Sequence, residues 1–177
     1  MSIDTKQAEM NVMLQGAQIL ADEAVNVWTK QGHHLTGGWE NSLKYSIIAT
    51  GRDTTITGTM NYYGVFVNAG VGADRIPYGG PKTGATTSKY IQGLISFWKL
   101  RGLSDKAAIS AAFATAKKQK KEGMPTAGSY QYSESGQRTQ FIAAAEKESG
   151  PKVDEAILNG IDAIFDEKFN ETKSETI

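Results

Sequence analysis

Leu35-Thr36-Gly37-Gly38-Trp39-Glu40-Asn41-Ser42-Leu43 opens a stretch that continues through Lys44 to Thr50, Gly51-Arg52-Asp53, Thr54 to Met60 and Asn61-Tyr62-Tyr63-Gly64-Val65-Phe66-Val67-Asn68-Ala69-Gly70. Leu43, Tyr45, Ile47 and Ala49 alternate with Ser42, Lys44, Ser46 and Ile48, the period of a strand. Gly51-Arg52-Asp53 supplies a turn. Thr54 to Met60 is rich in Thr and Ile, good strand formers, with Gly58 as a possible bulge. A β-hairpin over 42–60 follows. Tyr62 to Asn68 fits a third strand or a turn of helix, and the pattern leaves both open. No group in this stretch is arranged for catalysis.

Helical patterns flank the hairpin. From 4 to 31, Met10, Met13, Leu14, Ala17, Leu20, Ala21, Ala24, Val27 and Trp28 recur on one stripe, and Gly32 stands where the helix should stop. Val12 and Ile19 lie on the opposite side. They predict a helix that packs on two sides, once in its own domain and once against a neighbouring subunit. Residues 89–121 read as two helices, the second opened by Ser104 and Asp105 and ended by Gly123. Phe141 to Glu148 reads as a short helix. Gly150-Pro151 then punctuates, with Pro151 at the first position of a last helix over 151–169. The expected class is α+β, one domain over 1–177, with a small antiparallel sheet (the hairpin plus short strands) between a long N-terminal helix and C-terminal helices.

Residues 71–88 carry Gly72, Pro77, Gly79, Gly80, Pro81 and Gly84, and read as a flexible arm. Arg75, Ile76, Tyr78, Lys82 and Thr83 are its candidate contacts with a neighbour.

Composition narrows the function. The chain of 177 residues has no cysteine, which excludes disulfides, thiolate metal sites and thiol nucleophiles. Its 19 basic and 19 acidic residues balance, unlike the basic excess of a dedicated nucleic-acid binder. No apolar run approaches the roughly 20 residues of a membrane span, and the start lacks a signal-peptide pattern. A protein that stays in the compartment of its synthesis, with no membrane partner, is expected.

Motifs for chemistry are missing. His33-His34 stand side by side without a third ligand at metal spacing. Gly79-Gly80-Pro81-Lys82-Thr83-Gly84 departs from a phosphate loop, because Ala85 follows Gly84 and Pro81 removes an N–H donor. Asp22-Glu23 and Asp166-Glu167 join no nucleophile, and no G-x-S-x-G occurs. Lys117, Lys118, Lys120 and Lys121 fit the cationic end of a helix, or a face for DNA. Neither a metal, a cofactor nor catalytic residues are expected.

The order of parts is similar to that of a known family. A long helix leads to Leu-Thr-Gly-Gly-Trp-Glu-Asn-Ser-Leu, a hairpin, Tyr-Tyr-Gly-Val-Phe-Val-Asn-Ala-Gly-Val and a flexible loop. Trp98, Arg101-Gly102-Leu103, an Ala-rich helix ending Lys-Glu-Gly-Met-Pro and a closing helix complete it. Over roughly residues 5–170 this resembles the minor tail-component, or tail-completion, proteins of tailed bacteriophages, most of all those of crAss-like phages. Gly38-Trp39, Asn68 and Val71 depart from the residues usual there. The resemblance implies a non-enzymatic virion protein of the neck or tail, assembled in the bacterial host cytoplasm. It implies a ring of six or twelve copies, with portal, adaptor and tail proteins as partners and genomic DNA at most passing through the channel. The competing reading is a small DNA-binding module using Lys117 to Lys121.

Overall fold

The structure, a computed structural model, describes residues 5–49, 53–79 and 87–175. It is mixed helix and strand: α1 (Thr5–Lys30), β1 (Lys44–Ala49), β2 (Thr54–Thr59), α2 (Tyr63–Ala69), α3 (Lys89–Leu100), α4 (Asp105–Glu122) and α5 (Phe141–Glu175), with short 3₁₀ turns between some of them. Tyr62–Asn68, open between strand and helix in the sequence, is the helical α2. The chain divides into two compact units. Among the described residues, the first holds 5–29, 36–49, 53–61 and 141–175, and the second holds 30–35, 62–79 and 87–140.

In the first unit, β1 and β2 pair antiparallel from Lys44 opposite Thr59 to Ala49 opposite Thr54, the hairpin the alternation predicts. Tyr45, Ile47 and Ile56 are half-buried on one face, with Ile47 directly opposite Ile56. A lone two-stranded hairpin is marginal in water and needs support. Tyr45 supplies some by donating its hydroxyl to Gln18 Oε1 of α1 at 2.5 Å.

The core of this unit is an aromatic knot. Trp28 and Trp39 stack at 4.2 Å between ring centroids, and Phe141 meets both edge-on at 5.1 and 5.0 Å. Trp39 is completely buried, and its indole N–H faces Met60 Sδ at 3.4 Å. The Gly37-Gly38 opener therefore serves to turn one tryptophan inward at the root of the hairpin.

α1 and α5 run antiparallel: Val12 lies against Gly160, Gly16 against Val153 and Ile157, and Glu23 against Lys152. Two expectations change here. Val12 was read as facing a neighbouring subunit, yet it meets its own α5. A side chain at Gly160 would stand 2.5 Å from Val12 Cγ2, so glycine is what allows this approach. Ile19 shares the same row, one helical turn on from Gly16, and is half-buried. By contrast Leu14 and Leu20, placed on the core stripe, are exposed. The short helix and the 151–169 helix also merge into one α5 of 35 residues with Pro151 inside it. Proline removes a single backbone donor, and packing on both sides of it keeps the helix going: Ala145 and Ser149 are buried before it, and Val153 and Ile157 meet α1 after it.

In the second unit, α3 and α4 form a helical pair. Ser88 caps α3 by accepting from Ile91 N at 3.3 Å. Ala108, Ala112 and Ala116 make the thin, wholly buried face of α4 that the alanine run implies. Trp98 Nε1 donates to Thr115 at 3.0 Å across the pair. Gly32 ends α1 at φ 71°, and a Cβ there would fall 2.1 Å from the Tyr132 carbonyl oxygen, so both the conformation and the space demand glycine.

The expected flexible arm is corrected in its first half. Val71 bridges Met124 through N–O contacts of 2.7 and 2.8 Å, and Ala73–Arg75 form a 3₁₀ turn. Ile76 is 2% exposed, and its carbonyl accepts from Lys120 Nζ at 3.0 Å. This apolar side chain is more stable inside the unit than in water, so residues 71–76 are tied to α4 and to Met124 just beyond it. Lys82 and Thr83 lie outside the described residues.

Candidate functional site

The residues singled out for chemistry do not converge. Among the described residues no three His, Asp or Glu groups stand together as metal ligands. His33 is half-buried, with Nε2 3.3 Å from Gln31 Oε1. Burial, and then the charge of Arg138, pull its pKa down to about 4. His34 instead lines an open cleft, so the adjacent histidines diverge. Of the lysine cluster, Lys117, Lys118, Lys120 and Lys121 are all exposed, and Lys120 Nζ also donates to the Ile76 carbonyl at 3.0 Å.

The arm candidates also separate. Arg75 is exposed, Tyr78 is half-buried, and Ile76 is core and unavailable to a neighbour. Among Trp39, Tyr62, Tyr63 and Phe66 of the opening stretch, only Trp39 is buried. Tyr62, Tyr63 and Phe66 on and before α2 are exposed, with Tyr62 and Phe66 edge-to-face at 5.1 Å.

Two features escaped the sequence. The first is the cleft, about 670 Å³, within the second unit. His34, Trp98, Arg101, Leu103 and Tyr132 line it. The Arg101 guanidinium lies 4.7 Å from the Phe97 ring centre and 5.2 Å from that of Tyr132. Stacking on rings uses the face of the guanidinium and leaves its in-plane N–H groups for an acceptor. Arg101 Nε is buried, with no hydrogen-bond partner among the described residues, and the same holds for Arg138 Nε. Arg138 donates through Nη1 to the Gly32 carbonyl at 3.3 Å. Burial, then the like charge of Arg101, lowers its pKa. Among the described residues neither arginine has a carboxylate partner. This is an aromatic-walled site carrying Arg101, without a carboxylate counter-charge among the described residues. Arg101 and Arg138 are far apart in sequence, and no spacing rule joins them.

The second feature is the outer face of α5. Leu158, Phe165 and Phe169 are 63%, 69% and 70% exposed and follow one another at helical spacing. At 3.6 residues per turn this row lies about 130° round the helix from Val153, Ile157 and Gly160, which meet α1. Glu155, Asp162 and Asp166, all exposed, run beside it. A signal was present in the sequence: the apolar positions of α5 cover too wide an arc for one packing partner.

No protein-family model, no curated protein and no solved structure matches the chain.

Proposed function

We propose that this chain is a structural subunit of a tailed-phage virion, forming a ring in the neck or tail-completion joint between the portal complex and the tail. The observation that carries the reading is the uncovered face of α5. Monomeric soluble proteins seldom leave such rows of large apolar side chains in water, and a row rimmed with acidic groups is typical of a surface that meets another protein. The exposed aromatics of α2 offer a further contact of the same kind. The resemblance in order of parts supports a phage joint as the kind of assembly.

The test is where the protein resides. Mass spectrometry of purified particles should find it, and electron microscopy should place its density as a ring of six or twelve copies at the neck. A chain that never joins a particle, in a host producing mature virions, sinks the reading. The competing DNA-binding module retains four exposed lysines. It requires salt-dependent retention on DNA that disappears when Lys117, Lys118, Lys120 and Lys121 are neutralised.

A further inference from the structure

We infer that the Arg101 cleft of one copy receives the outer face of α5 from a second copy of this chain. The inference deepens the ring reading, on which it rests only for closure of the contact into a ring. Its own grounds are complementarity.

The cleft carries one cationic group, Arg101, with no carboxylate partner among the described residues, walled by Trp98 and Tyr132. The α5 face carries the opposite: Phe165 and Phe169 with Asp162 and Asp166 alongside, none paired with a basic side chain among the described residues. A volume of about 670 Å³ takes a few bulky side chains, and a helix edge presents bulky groups in that way. The stacked guanidinium keeps its edge donors available, which suits the planar two-oxygen acceptor of Asp166. Seating Phe165 against the aromatic wall excludes water from that pair and strengthens it.

The contact is heterologous, because cleft and helix face are different surfaces. Each bound copy then keeps one unused cleft and one unused helix face. Such contacts propagate until rotation closes them into a ring or they extend as an open chain.

The experiment uses the full chain in solution. Sedimentation velocity should show concentration-dependent association of wild type. Arg101→Ala and the pair Phe165→Ala/Asp166→Ala should each lower it at least about tenfold while circular dichroism stays unchanged. Mixed one to one, the two variants should stop at a dimer, since together they hold one intact cleft and one intact face. A labelled peptide of residues 158–173 should bind wild type, less tightly in salt, and fail on Arg101→Ala. If Arg101→Ala misfolds, Arg101→Lys keeps the charge without the planar fork and should give intermediate binding. The inference falls if Arg101→Ala associates and binds peptide as wild type does. It also falls if the Phe165 pair alone abolishes association, which indicates α5-to-α5 pairing. Wild type that neither associates nor binds the peptide overturns it too. Docking in solution without a ring in particles counts against the ring reading alone. Particles that assemble normally with Arg101→Ala count against the docking alone.

Discussion

Phe141 and Phe165 stand on the same helix and meet opposite surroundings. Phe141 closes the knot with Trp28 and Trp39 and is almost completely buried, whereas Phe165 faces outward. The same residue type stabilises the fold at one end and is left for association at the other. Burial, rather than hydrophobicity, separates the two roles.

Mutations sharpen that contrast, beginning with the largest effect. Trp39→Ala empties the knot and should cost about 3–5 kcal/mol in urea unfolding, with the hairpin's signals lost first. If stability barely changes, the knot is not the core of its unit.

Next is Gly160→Ala. The new methyl meets Val12, and we expect a loss of about 1–3 kcal/mol. Adding Val12→Ala should recover part of it. Strict additivity in the double mutant would mean the two positions do not touch.

Acid distinguishes the two units. His33, in the second unit, has its folded pKa lowered to about 4 from an ordinary 6.5. Between those values the unfolded chain binds a proton that the folded chain does not. Stability is therefore full above pH 6.5 and falls as the pH drops towards 4, and His33→Gln should flatten this slope. Glu23, in the first unit, has its carboxyl held below the ordinary value by the Asn26 hydrogen bond and then by Lys152, 3.1 Å away. Its contribution is present above pH 4.5 and lost as the pH falls through the lowered folded value. Glu23→Gln should flatten only this more acid part. Fluorescence of the denaturation midpoint against pH reads both; identical profiles for the two variants would remove the assignment.

The smallest effect on stability belongs to Phe165→Ala, within about 0.5 kcal/mol, because its side chain is already in water. Its effect should appear in association instead.

Much of this architecture was legible. The alternation from Leu43 to Ala49 and the Thr-rich run from Thr54 marked the hairpin, and Gly32, Ser104 and Gly123 marked helix ends at the residues that serve as such. Periodicity and backbone constraints are local, so they survive in a single sequence. The partners of each face did not. Val12 looked outward because the stripe containing Met13 and Leu14 looked like the core, and only the approach of Gly160 shows otherwise. Pro151 looked like a helix start because local preference favours that place, and packing on either side outweighed it. The arm looked flexible from its glycines and prolines, while one buried side chain, Ile76, ties down its first part.

The sequence by itself determined the α+β class, the two strands of the hairpin and the absence of thiol chemistry, since these follow from side-chain period and composition. Tertiary structure alone decided which faces are covered. It stacked Trp28 on Trp39, brought Arg101 towards Arg138 across 37 positions, and left Phe165 and Phe169 in solvent. Contacts between distant residues depend on where the whole chain travels, and no local pattern records that path.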